Sequence, residues 1–457
     1  MSSHHKRSLE AIKRLRQHLT GTLILPQDDA YEQARRVWNG MVDKRPSAIV
    51  RCANEQDVIR TVQFAREQDL PLSVRGGGHD YCGRSLCDDG LVIDFSAMRN
   101  VSIDPERRTA RVQAGTTIGE LIGAARQHGL VASTGSLAMV GLAGQTLGGG
   151  YGPLMGKFGM VIDNLLSVDI VTAEGQLLTA NTNLHPDLFW AVRGGGGNFG
   201  VVTAFEYRLH PGSSVLTGTF LYPLDQAREV LRGYHDFTST APDELTIGAA
   251  LLHTPDGMPA ILFAPSYHGS FAEGERAMEP LRTFGTPLLS TVQPMEYSDL
   301  LTTFNALVPV GRYYFYKGQS FAGLSSEAIE GIVESAHRFT SPFSALIFHH
   351  FHGAASRVGV SETAFALRQD HLLLEIFAGW EHQSAEQDQT HLQWTYTTSS
   401  QLAPFAMEGV YINLLDSGEQ ERLPHSFGPN YARLVELKRA YDPGNVFHSN
   451  PNIQPGT

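Results

Sequence analysis

Cysteine is scarce in this chain, with only Cys52, Cys82 and Cys87 in 457 residues. Three thiols cannot build a disulfide framework, and an odd number fits a reducing compartment. Their spacing matches no zinc pattern, so no metal is expected. Basic charge is also short: 35 Lys and Arg face 47 Asp and Glu, a net charge of −12. Nucleic acids and anionic membranes require a basic footprint, which excludes both as partners. No apolar run approaches the length of a membrane span. The first residues lack the continuous apolar stretch of a secretory signal. Instead Leu9, Ile12, Leu15 and Leu19 fall at helical spacing among Lys6, Arg7, Lys13, Arg14 and Arg16, as in a short basic arm. A cytoplasmic address is expected. Internal repeats and long linkers are missing too, and nothing in the chain specifies an oligomeric state.

What the chain has is glycine, 46 residues of it, with three dense runs among them. In the first, an apolar strand over 71–75 meets Gly76-Gly77-Gly78, and His79 follows at once. Glycines let a backbone approach an anion closely, and a histidine behind such a nest can reach what the nest holds. Were that ligand a flavin dinucleotide, the loop would take the pyrophosphate and the imidazole would sit beside the isoalloxazine. An ordinary strand-to-turn connection explains this run alone equally well. The second run, Gly141 to Gly152, lacks the Gly-Lys-Ser/Thr ending of a triphosphate loop. It suits close approach to a flat ligand or a plain helix crossing. The third, Gly195-x-Gly197-x-x-Gly200, is preceded by a helical stretch (186–192) and followed by a strand (201–207). A Rossmann fingerprint needs the reverse order, so a tight helix-to-strand turn is expected here.

The length calls for two domains or three. From residue 46 to 210, short strands (48–52, 71–75, 91–94, 110–114) alternate with helical segments, one capped by Asn54 and running to Gln68 and one over 118–128. From 213 onward, aromatic-rich strands (215–222, 245–253, 260–269, 312–321, 344–352, 371–380) are separated by amphipathic helices (226–239, 273–284, 325–338, 384–402). The fold class is therefore α+β, with an antiparallel sheet covered by helices on one face in the second domain.

Six stretches taken together resemble the berberine-bridge-enzyme-like branch of the vanillyl-alcohol-oxidase-type flavin-linked oxidases, which share a PCMH-type FAD-binding domain. They are Ser73–His79, Val140–Gly152, Lys157–Asn164, Asp187–Gly194, Gly197–Thr203 and Tyr441–Ile453, in the family's order and across most of the chain. The resemblance implies an FAD-binding domain over 1–212 (arm 1–24), a substrate-binding domain over 213–405, and a C-terminal segment over 406–457 that returns to the flavin site. It implies FAD held by Arg75, Gly76, Gly77, Gly78 and His79, by Thr134, Gly135, Val140, Gly141, Gly144, Gly148, Gly149, Tyr151 and Gly152, by Asp163 and Asn164, by Gly200, Val201 and Val202, and by Asn450 and Asn452. His79 matches the histidine that such enzymes bond to the flavin 8α-methyl group, an attachment that retains the cofactor and raises its potential.

Two positions depart from the family. Leu137 stands where many relatives carry a second, cysteine attachment, so a single link is expected. Leu414, in Tyr411-Ile-Asn-Leu414, replaces a tyrosine base and cannot accept a proton. A base is therefore sought on the strand Phe348-His-His-Phe-His352, where alternation places His350 and His352 on one face; Tyr314 and Tyr316 are weaker candidates. The expected activity is transfer of a hydride from a C–H next to N or O of a small organic substrate to FAD, with dioxygen as reoxidant and hydrogen peroxide as product. An oxygenating or oxidative-cyclising flavoenzyme of secondary metabolism is the alternative, and a non-catalytic flavin sensor the alternative of another class.

Overall fold

The computed structural model describes residues 11–456. The first ten residues of the expected arm lie outside that range; from 11 to 15 the chain is helical, with Ile12 and Leu15 buried. Strands β1 (Thr22–Ile24), β2 (Ala48–Arg51), β3 (Leu72–Arg75) and β4 (Leu91–Asp94) form a sheet ordered β1-β2-β4-β3, parallel except for β1. The crossover from β2 to β3 is a helix, Glu55–Glu67, that starts where the Asn54 side chain accepts the Asp57 N–H at 3.1 Å. Its Val58, Val62 and Ala65 are fully buried.

Next come β5 (Val101–Asp104), β6 (Thr109–Gln113), β7 (Leu130–Val131), β8 (Leu165–Val171), β9 (Leu177–Asn181), β10 (Val201–Arg208) and β11 (His210–Pro211). β7 pairs with β11; the others make an antiparallel sheet ordered β5-β6-β10-β8-β9. The helix Pro186–Val192 precedes the third glycine turn and β10 follows it, the inverse of a Rossmann unit.

The second half is one antiparallel sheet built from β12 (Ser214–Pro223), β13 (Leu245–His253), β14 (Pro259–Tyr267), β15 (Leu289–Glu296), β16 (Tyr313–Phe321), β17 (Ala345–Phe351) and β18 (His371–Trp380). Its order is β15-β12-β14-β13-β17-β18-β16. Alternation sorts its side chains cleanly. Ile247, Ala249 and Leu251 of β13, Leu346 and Phe348 of β17, and Leu372, Leu374 and Ile376 of β18 pack into one core with the helices Ala227–Thr238, Ser326–Ala336 and Ala385–Leu402. The opposite face turns toward the first half. The α+β class with helices on one face of an antiparallel sheet is thus what the chain adopts.

β15 and the short helix Tyr297–Thr303 carry too little apolar periodicity to be read from the sequence, and β5, Val-Ser-Ile-Asp, alternates over only four residues. β15 is an edge strand, and its Pro294 is tolerated because an edge leaves a backbone N–H unused. Beyond 406 the chain packs back onto the first half. Val410, Tyr411, Ile412, Leu414 and Ile453 join the same core as β2, β4 and β10. Lys438, fully buried, bonds Asp442 at 2.7 Å and the Asn198 carbonyl at 2.9 Å, which pins this segment to the third glycine turn.

Candidate functional site

A cavity of about 630 Å³ lies between the two halves. One wall is main chain from the glycine runs. A Cβ on Gly77 would come within 2.5 Å of the Gly141 nitrogen, and one on Gly141 within 2.4 Å of the Gly77 nitrogen. The first two runs therefore sit back to back, at a distance only glycine permits. Gly76, Gly77, Gly78, Gly135, Val140, Gly141, Gly144, Tyr151 and Gly152 line the cavity, together with Gly200, Val201, Val202 and Asn450. Gly144 has open space in front of it. The C-terminal segment ties this wall down: Asn413 Nδ2 donates to the Gly144 carbonyl at 3.1 Å, and the Gly150 N–H donates to the Tyr411 hydroxyl at 3.1 Å.

His79 stands at the end of the first run, its ring stacked on Trp38 at 4.4 Å; Trp38 stacks in turn on Tyr314 at 4.0 Å. Burial lowers its pKa to about 4, so the imidazole is neutral near pH 7. Its Nε2 is buried without a hydrogen-bond partner. Leu137 also lines the cavity, and Leu414 offers its backbone carbonyl to the Tyr81 hydroxyl at 3.1 Å.

The facing wall is the open side of the seven-stranded sheet, and it carries a group that sequence reading missed. Ala345, Ile347 and His349 of β17 face the cavity, with Glu375 and Phe377 of β18 and Tyr316 of β16. His349 Nε2 lies 3.1 Å from Glu375 Oε1, and the same carboxylate oxygen accepts a short hydrogen bond from the Tyr151 hydroxyl. Burial alone would raise the Glu375 pKa; the hydrogen bond and charge of His349 and the bond from Tyr151 outweigh it, and the net direction is down. Tyr151 moves well above its ordinary value, first through burial and then through the Glu375 charge, so it remains a proton donor. The signal available in the sequence was Glu375 itself, a lone carboxylate in the apolar run Leu372–Ala378.

Several expected positions fall elsewhere. His350 and His352 share a face, stacked at 4.4 Å, but it is not the cavity face. His350 has the parity of Phe348, which packs under the helices, and its Nε2 meets Asp370 at 3.0 Å; His352 packs beside Gly156. Neither lines the cavity, so neither is placed to act as the base. Tyr314 is buried behind Trp38 with its hydroxyl bonded to the Pro309 carbonyl at 2.7 Å, and Tyr316 reaches the cavity instead. Among the expected cofactor ligands, Arg75 turns away to Asp94 at 2.7 Å, and Asp163 is held by Arg368 at 2.7 Å. Asn164 donates to the Phe158 and Met160 carbonyls. Thr134, Gly148 and Gly149 support the wall from behind: a Cβ on Gly148 would strike Asn413, and one on Gly152 would strike the Thr134 carbonyl. These residues shape the cavity through internal contacts rather than by facing it. Asn452 does not line the cavity, and its Oδ1 is buried without a partner.

The lining fits a large dinucleotide carrying an aromatic ring system. His79 Nε2, both amide atoms of Gln145 and Asn450 Oδ1 are buried and unpartnered at its wall. The one guanidinium lining the cavity among the described residues, Arg84, is engaged by Asp80 at 3.0 Å and by the Leu415 carbonyl at 2.8 Å. A diphosphate would therefore rest on main chain and amides. Residues 46–181 match the family described as FAD binding domain, and residues 410–454 match the one described as berberine and berberine like. An FAD-linked oxidoreductase of Dictyostelium discoideum is 31% identical over 96% of this chain and 95% of its own. The (R)-6-hydroxynicotine oxidase of Paenarthrobacter nicotinovorans is 28% identical over 96% and 97%. The crystal structure of 6-hydroxy-D-nicotine oxidase from Arthrobacter nicotinovorans superposes with a TM-score of 0.87, at 27% identity, over 96% of this chain and 98% of that one.

Proposed function

The chain belongs to the berberine-bridge-like FAD-linked oxidoreductases, and from that premise we propose that it is an oxidase of a small neutral or cationic organic molecule, working with FAD bonded covalently to His79 alone. His79 carries this reading. Its imidazole is neutral, has a buried nitrogen without a partner, and projects from a glycine wall beside the cavity. A neutral imidazole is the nucleophilic form needed for attachment. Leu137, where a second link would form, has no nucleophile.

Bound FAD would supply a two-electron hydride acceptor that dioxygen returns to its oxidised form with release of hydrogen peroxide. The protein's own residues do the rest. The Gly76–Gly78 and Gly141–Gly152 wall holds the cofactor, and Tyr316, Phe377 and Ile347 cover the substrate. His349 takes the proton from the substrate N–H or O–H, while Glu375 orients its ring and stabilises the imidazolium. Tyr151 holds the carboxylate in place. Asp80, Glu375 and the engaged Arg84 are the only side chains of fixed charge lining the cavity among the described residues. That set offers no free cation to an anionic substrate, hence the neutral or cationic class. The likeness to a hydroxynicotine oxidase supports the same kind of chemistry.

Intact-mass measurement of protein from riboflavin-replete cells should show one added FAD, retained after acid precipitation. A peroxide-coupled screen of amines and alcohols should then find a substrate. A colourless acid pellet under a yellow supernatant refutes the covalent link; bleaching of the flavin without peroxide on aeration refutes the oxidase.

A further inference from the structure

The cavity holds a second polar feature, away from His349 and Glu375. Thr246 of β13 and Ser266 of β14 are directly opposed across the two strands. Both line the cavity, and their relative exposures are only 7% and 3%. Neither hydroxyl has a hydrogen-bond partner in the protein. Buried hydroxyls are nearly always paired, because an unpaired one forfeits its bonds to water and weakens the fold. Two such groups, side by side and facing one cavity, mark a place where the missing partner comes from outside the chain.

Their position follows from the register. Gly248 pairs with His349, and Thr246 lies two residues along the same strand on the same face. With a rise of about 3.4 Å per residue and about 4.8 Å between strands, the Cα atoms of Thr246 and Ser266 stand about 8 Å and about 12 Å from that of His349. That is the span of two linked aromatic rings. Between them the wall is small and apolar, formed by Gly248 and Ala264. Hydroxyls both donate and accept, and no fixed charge flanks them on their own strands within the cavity.

We propose that Thr246 and Ser266 form a specificity subsite that takes a neutral oxygen group (hydroxyl, carbonyl or ether) at the end of an elongated substrate remote from the carbon oxidised beside His349. This deepens, and rests on, the oxidase reading above. The probes are 4-(aminomethyl)biphenyl and its 4′-hydroxy analogue, titrated calorimetrically into the flavin-loaded protein. The hydroxylated probe should bind about 5- to 10-fold more tightly. The isosteric double variant Thr246→Val, Ser266→Ala should bind the two equally. Because it removes unpaired buried hydroxyls, the same variant without probe should melt about 1–3 °C higher than the native protein. Equal affinity in the native protein, including no binding of either probe, overturns the subsite. So does a preference that survives the double variant, or a lower melting temperature. Calorimetry and melting do not depend on flavin turnover. A flavin-loaded protein that yields peroxide yet shows no preference loses the subsite alone; one that prefers the hydroxylated probe, and loses that preference in the double variant, yet releases no peroxide on aeration loses the oxidase reading alone.

Discussion

Acid should destabilise this protein well before its carboxylates are neutralised, because of histidines locked in the neutral state. His352 and His371 are 3% and 2% exposed, and each has its pKa lowered to about 4. Burial is the main cause for both. The charge of His350 adds to it at His352, and hydrogen bonding to the Gln369 carbonyl opposes it at His371. In the unfolded chain both titrate near ~6.5. Above that value they are neutral in both states and the term vanishes. Between pH 6.5 and 4 the unfolded chain binds more protons, so stability falls as pH falls; below 4 the loss saturates. Linkage puts the loss at about 2 kcal/mol for each at pH 5, or about 4 kcal/mol for the pair, against a total stability of roughly 5–15 kcal/mol. Urea or thermal unfolding followed between pH 7.5 and 4.5 reads the slope directly. In the double variant His352→Gln, His371→Gln that slope should flatten, whatever the variant does to absolute stability. A flat profile in the native protein, or an unchanged slope in the variant, would refute the reasoning.

Further outcomes follow from the site. His79→Ala should abolish acid-stable flavin, so that intact mass returns to that of the bare polypeptide. Glu375→Gln removes the charge from a hydrogen bond worth about 1.5–3 kcal/mol, so anaerobic flavin bleaching by a substrate found in the peroxide screen should slow roughly 10- to 150-fold. His350→Gln, altering a residue on the far side of the same strand, should leave that bleaching rate within about twofold. Gly77→Ala would drive a Cβ to 2.5 Å from the Gly141 nitrogen; flavin incorporation should fall sharply and the melting temperature with it, whereas Gly144→Ala, with open space before it, should melt like the native protein.

Elements whose cause is local could be read from neighbouring residues alone. The Asn54 cap, the period-2 strands of the second half and the inverted order around Gly195–Gly200 all depend on residues close together in the chain, and they fold as that pattern dictates. His79 behind three glycines was legible for the same reason. Which way a strand faces is set instead by packing between distant segments. Alternation groups His350 with His352 and separates them from His349, but it cannot say which group meets the cavity; that is set by the helices that claim Leu346, Phe348 and Leu374. The union of His349 with Glu375 and Tyr151 draws on three distant segments, one from the other half of the molecule. Arg75, Asp163 and Asn164 show the converse: they lie beside cofactor-binding runs in the sequence, yet their charges and amides are spent on Asp94, Arg368 and backbone carbonyls. Proximity along the chain located the cavity wall, but only packing across the two halves fixed which side chains look into it.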